Sequence, residues 1–267
     1  RQNSSSMMDE EEELEGYRLI PTRYTYGMNT YGIDYAEIFG TGNSSESIFE
    51  LTFMQDDNMP ANYAVADFYG NATNVMGFMS ASSYVGSDVS QKQFKVFNNQ
   101  LDCRNYQAIM SAGSTYSICK YAWRICQVEA TGTSAANATV DPIYDNLYPE
   151  KHVQANWIIY RLSDIMLMKA EALTQLMSDA ADGGLTEADQ DYLNQAFRLV
   201  TVINKRALCQ YPRKDTLKVD DYKTKSDIEN LVLNERRREL MFEGKRWYDL
   251  VRRARREGRG HARCGAG

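Results

Sequence analysis

The sequence predicts a mainly α chain in which a helical platform carries a loop-rich, irregular region with a few short strands. Three observations lead there. From about residue 154 onward, apolar residues recur at three- and four-residue spacings. Before that point the apolar runs are short, and Tyr, Asn, Ser and Gly dominate. The 267 residues are 43% hydrophobic and 25% charged, a globular composition with enough material for a buried core.

Residues 1–16 (RQNSSSMMDEEEELEG) read as a disordered or exposed acidic segment, with none of the apolar core of a signal sequence. Residues 17–153 form the loop-rich region. It holds weakly alternating apolar runs such as Ser47 to Phe53, a brief helix near Tyr35 to Phe39, and a polar linker or exposed loop from Thr131 to Thr139. Residues 154–253 form the helical region. Its first helix spans Asn156 to Met177, with Ile158, Leu162, Ile165/Met166, Leu173 and Leu176/Met177 on a wide buried face, and stops before the turn signal Asp182-Gly183-Gly184. Thr186 is the N-cap of a second helix, followed by Glu187 and Asp189 in an acidic first turn and by Tyr192, Ala196, Leu199/Val200, Ile203 and Ala207. The capping-box pattern Ser226-Asp227-Ile228-Glu229 opens a third helix that runs to Phe242, with Gly244 ending or kinking it. Lys245 to Arg253 can form a further short helix, and residues 254–267 read as a disordered or aberrant tail. The helix pairs are loosely like tetratricopeptide units, without a clean repeat of ~34 residues.

Composition removes several function classes. No apolar stretch approaches the ~20 residues of a spanning helix. A net charge of −6 gives no general attraction to nucleic acid or anionic lipid. Two His, His152 and His261, leave little material for His-based triads or metal cages. Five Cys without a C-x-x-C favour small buried thiols over a disulfide framework, with Cys119 and Cys126 able to pair in an oxidising compartment. No cofactor is expected. Loop carboxylates could hold calcium, but the D-x-D-x-D-G pattern is missing. Adjacent acids such as Asp56 and Asp57, or Asp34 and Glu37, are a weak signal for a glycosidase pair.

The segment Glu235 to Leu250 (ERRRELMFEGKRWYDL) is the richest in information. Glu235, Glu239 and Glu243 are four residues apart and share one helical face, where like charges repel unless cations compensate. Arg238 and Arg246 from the same segment, and Arg161, Arg198 and Arg206 from other helices, are the natural partners. The expectation is a partly buried Glu/Arg network that fixes helix packing, closed on its apolar side by Trp247 and Leu250. An acid/base or metal-binding role for the three carboxylates is the alternative.

These residues carry a resemblance. ERRRELMFEGKRWYDLVRR is similar to the carboxy-terminal signature of the SusD/RagB family of outer-membrane nutrient-binding lipoproteins. Trp157 to Leu173 (WIIYRLSDIMLMKAEAL), Ala196 to Ala207 and Glu46-Ser47-Ile48-Phe49-Glu50 resemble three further family motifs, in the family's order. The resemblance implies a carboxy-terminal portion of a non-catalytic SusD-like protein. Such a protein is lipid-anchored on the outer leaflet of the outer membrane, binds oligosaccharide (glycan) nutrients, and delivers them to a SusC-like TonB-dependent transporter for polysaccharide utilization. A peptide ligand of the RagB type, or a helical-repeat interaction scaffold, is the alternative.

Ligand groups are expected in the variable loops. The candidates are Asn62, Tyr63, Phe68, Tyr69, Asn71, Tyr84 and Trp123, because flat rings stack on sugar C–H faces while amides serve hydroxyls. Core and rim filling is the competing reading for each ring. Of the 18 Tyr, 12 lie at or before residue 144, in the region where the ligand site is sought. Trp157 and Trp247 lie inside helix motifs and are expected to pack.

Overall fold

A computed structural model describes residues 13–14, 17–20, 23–26, 29–32, 35–53, 62–69, 79–82, 96–97, 99, 102–112, 115–118, 120–121, 125–130, 138–143, 155–178, 184–207 and 217–258. Helical residues outnumber strand residues among them, so the chain is mainly α. All the strands are short and antiparallel. A four-stranded sheet has the order β10 (Ala138–Ile143), β9 (Ile125–Ala130), β4 (Asn29–Gly32), β3 (Arg23–Tyr26). A three-stranded sheet orders β6 (Ser80–Ala81), β8 (Thr115–Ile118), β7 (Ile109–Ala112), and β1 (Glu13–Leu14) pairs with β2 (Tyr17–Arg18).

The remaining pair, β5 (Ser47–Leu51) with β11 (Trp157–Arg161), corrects the sequence reading. Residues 157–161 were expected to open a helix, but WIIYR is aromatic and β-branched and finds an extended partner in SIFEL. The helix α4 starts only at Leu162 and runs to Leu176. The brief helix expected at residues 35–39 is α1, a π-helical turn at Ala36–Thr41. It ends at Gly42, whose φ of +72° disfavours other residues; a Cβ there would sit 2.5 Å from the Asn156 Nδ2.

Two cores divide the molecule. In the first, α4, α5 (Glu187–Ala207) and α6 (Lys225–Glu239) pack on one another through Leu162, Leu167, Leu193, Ala196, Val200, Ile203 and Val232. These are the positions that the 3.6-residue period selects. The second core is aromatic, with Tyr35, Ile38, Phe39, Phe97 and Tyr121 joined by Val65 of α2 (Tyr63–Tyr69) and Ala108 of α3 (Cys103–Ala108).

Helix starts follow local chemistry. Thr186 caps α5 as expected: its Oγ1 accepts from Asp189 N at 3.1 Å, and Asp189 Oδ2 accepts from Thr186 N at 3.2 Å. For α6 the expected cap was Ser226, but Thr224 and Asp227 form the reciprocal capping box. Thr-x-x-Asp closes both bonds two residues earlier, which leaves Ser226 inside the first turn. α6 ends at Glu239, short of Phe242, in a turn where Phe242 (φ +66°) and Gly244 (φ +74°) are both left-handed. α7 follows at Arg246–Arg256, running past the expected boundary at residue 253.

Candidate functional site

The site is built outward from buried charge. Glu239, fully buried, accepts from Arg161 Nη1 at 2.7 Å, Arg206 Nη2 at 2.6 Å and Arg104 Nη1 at 3.1 Å. Glu243 accepts from Arg161 Nη2 at 2.8 Å and from Lys120 Nζ at 2.5 Å. Glu235 accepts from Arg104 at 2.7 Å and from Arg238 Nη2 at 2.7 Å. Glu46 is paired with Arg206 and, at 3.5 Å, with Arg161, and Asp102 with Arg104 at 2.7 Å. Five carboxylates (Glu46, Asp102, Glu235, Glu239, Glu243) thus face five cations (Arg104, Lys120, Arg161, Arg206, Arg238). Burial alone would raise the Glu239 carboxyl, but Arg206, Arg161 and Arg104 hold it well below the usual range. Glu235 and Glu243 are held low in the same way. At Glu46 burial wins over Arg206 and Arg161, and its carboxyl is raised.

Ion pairs join Glu235, Glu239, Glu243, Arg161, Arg206 and Arg238. Arg246 is not in it. Half-buried on α7, it donates to the Leu233 carbonyl at 3.2 Å instead. Arg198 is exposed on α5. Sequence reasoning missed Glu46, Asp102, Arg104 and Lys120, because no helical period connects the irregular half to α6. Only the Glu46 motif hinted at one of them.

The expectation that Trp247 and Leu250 close an apolar side fails as well: they are 70% and 45% exposed. α7 turns its polar face inward. Asp249 accepts from the buried Arg236 at 3.0 Å, and Arg252 and Arg256 reach Glu171 of α4 at 2.7 and 3.0 Å. The aromatic residues on the other side are left in solvent.

Lys120 joins the network to the rings above it. Its Nζ donates to the Glu239 and Met241 carbonyls, both at 2.9 Å, and lies 4.6 and 4.8 Å from the ring centroids of Tyr35 and Phe39. Burial lowers its pKa to about 8 despite Glu243. Tyr121 follows in sequence and begins a stack. Its ring lies 5.7 Å from Trp157 on one side and 5.3 Å from Tyr69 on the other, at interplanar angles of 13° and 17°. Burial, and then Glu243, push the Tyr69 and Tyr121 hydroxyls up, so both remain neutral.

Tyr69 ends α2, whose outer face carries Tyr63 (57% exposed) and Phe68 (47% exposed). Asn62 is buried beneath it. Its Nδ2 donates to the Ala155 carbonyl at 2.8 Å, and its Oδ1 accepts from Val65 N at 3.3 Å, which seats the helix start on the segment leading into β11. The structure therefore places Tyr63, Phe68 and Tyr69 on one short helix, with Asn62 buried directly before it and its amide committed to Ala155 and Val65. Asn71, Tyr84 and Trp123 lie outside the described residues, as do Asp34, Asp56 and Asp57. Cys103, expected as a free thiol, is disulfide-bonded. Among the described residues no group of three or more His, Cys, Asp or Glu could hold a metal ion, and no helix is long and apolar enough to cross a membrane.

The sequence pattern of the SusD family matches residues 17–263. This chain belongs to the SusD family. It is 37% identical over 99 residues to SusD-like protein P38 of Formosa agariphila, a match covering 36% of this chain and 17% of that protein. SusD-like protein P2 of the same organism is 30% identical over 97 residues, again 36% of this chain and 17% of that protein. The matched segment thus spans about a sixth of these relatives' length. Among solved structures, a SusD superfamily protein from Bacteroides vulgatus aligns with a TM-score of 0.47 at 20% identity, over 90% of this chain and 41% of that one. Surface glycan-binding protein A from Bacteroides thetaiotaomicron aligns with a TM-score of 0.42 at 22% identity, over 95% of this chain and 49% of that one, and has also been solved with laminarihexaose.

Proposed function

We propose that this SusD-family chain captures oligosaccharide on the outer face of α2, without chemical change, for a cell-surface protein that delivers it to a SusC-like TonB-dependent transporter. The observation that carries the reading is the pair of exposed rings, Tyr63 and Phe68, on a helix anchored by Asn62 and by the Tyr69–Tyr121–Trp157 stack. Exposed rings on an anchored helix suit the flat C–H faces of pyranoses, because part of the cost of ordering them is met before the ligand arrives.

Two further observations support the reading. Arg and Lys hold the Glu239 and Glu243 carboxyls below the usual carboxylate range, which does not suit either to donate a proton. The disulfide at Cys103 suits an oxidising compartment outside the cytoplasm, in keeping with a place on the outer leaflet of the outer membrane, where a lipid anchor would hold the full-length protein. Native affinity gels containing a panel of polysaccharides test the assignment. Retardation by at least one glycan, with no product released from a labelled oligosaccharide, is expected. Retardation by none, alongside binding of a peptide, would replace the glycan with a peptide ligand.

A further inference from the structure

A cleft of about 600 Å³ lies between β11 and α7, lined by residues of the helical region rather than by α2. Its size is that of pockets that bury small ligands, roughly 300–1,000 Å³. Tyr160 of β11 (43% exposed) and Tyr248 of α7 (64% exposed) line it with their rings in solvent, and Met168 and Trp157 add apolar surface.

Polar groups lie among these rings. Lys245 Nζ sits 4.8 Å from the Tyr160 ring centroid and 3.2 Å from Asp164 Oδ2. Asp249, 1% exposed, uses Oδ1 to accept from Arg236 Nε at 3.0 Å and Arg252 Nη2 at 2.7 Å. Its Oδ2 is buried and accepts from no donor among the described residues. A carboxylate oxygen withheld from water without a donor is an unfavourable arrangement that a ligand O–H would relieve. Arg252, with its side chain 40% exposed, holds Asp249 Oδ1 and Glu171 Oε2 at 2.7 Å each, which leaves Oδ2 as the carboxylate oxygen still without a donor among the described residues.

The charges of the lining balance: Asp164, Glu243 and Asp249 against Arg236, Lys245 and Arg252. An anion would meet the bare Asp249 oxygen, and a cation would meet Lys245 and Arg252. A neutral ligand with hydroxyl donors and an apolar ring face meets neither objection, and that description is a sugar.

We propose that this cleft is a second binding site, distinct from the α2 face, for a neutral di- or trisaccharide held between Tyr160 and Tyr248 with one hydroxyl on Asp249 Oδ2. The proposal stands whether or not α2 binds glycan. Isotope-labelled full chain titrated separately with maltose, cellobiose and laminaribiose, with the dipeptide Ala-Phe as control, tests it by amide shifts. At least one disaccharide should move the Lys245, Tyr248 and Asp249 amides. Tyr248→Ala should weaken that binding about tenfold, since the exposed ring supplies one stacking face, and Tyr248→Phe should preserve it. The double variant Tyr63→Ala/Phe68→Ala should leave these shifts as in wild type, which separates failure of this site from failure of the α2 face. The proposal is overturned if no disaccharide moves these amides, if Tyr248→Ala binds as wild type, or if only the dipeptide binds there.

Discussion

Replacing Glu239 by Gln tests the charge network where it is most concentrated. The substitution keeps the shape but removes the negative charge that Arg104, Arg161 and Arg206 share within 3.1 Å. Breaking a buried ion pair by removing one partner costs about 3–5 kcal/mol, because the other charge stays buried without compensation. Three pairs do not triple that figure, since Glu46, Glu235 and Glu243 still neutralise the same guanidiniums. About 3 kcal/mol is therefore the working magnitude, a large share of the ~5–15 kcal/mol that holds a domain together. At roughly 2–4 °C per kcal/mol for a chain of this size, the thermal midpoint should fall by about 6–12 °C. Circular dichroism melts read this directly. Arg238→Ala is the control: at 13% side-chain exposure it pairs with Glu235 three residues away on the same helix, and its loss should cost less than half as much. If Glu239→Gln melted within about 2 °C of wild type, the network would not be what joins the irregular half to α6.

Further outcomes follow from the same geometry. Thr224→Ala should cost about 1 kcal/mol by urea unfolding, whereas Ser226→Ala should stay within about 0.5 kcal/mol, because only Thr224 closes the capping box. Gly42→Ala should destabilise by roughly 1–3 kcal/mol, since φ is +72° and the new Cβ would press on Asn156. Asp189, held low by hydrogen bonds from Ser178 and Thr186, contributes stability that is complete above the ordinary Asp pKa of about 4 and is lost as pH falls toward its depressed value. Urea midpoints of wild type should therefore drop below about pH 4 more steeply than those of Asp189→Asn.

The helical half was legible because its order is local. The buried stripe Leu193, Ala196, Val200, Ile203 on α5 is spaced by the helix period itself, and Thr186 announces its cap within four residues. The stacked glutamates were legible for the same reason, since their four-residue spacing demands compensation. Their partners were only partly so. Arg104 reaches Glu235 across 131 residues and Lys120 reaches Glu243 across 123, distances over which no periodicity survives. From sequence β11 reads as helix because WIIYR has the apolar content of either state, and its pairing with β5 decides between them. Trp247 reads as a packing residue because a large ring in a helix motif ordinarily turns inward. Here Asp249 and the arginines of α7 claim the inner face.

The central claim is that the exposed rings of α2 are a glycan-binding face on a platform set by buried charge. Calorimetric titration of wild type and of Tyr63→Ala/Phe68→Ala with the polysaccharide that retards the chain most in native gels tests it most directly. Loss of two stacking rings should weaken binding about tenfold or more, with the thermal midpoint unchanged, because both side chains face solvent. Equal affinity in the two proteins would contradict the claim and move the ligand site away from α2.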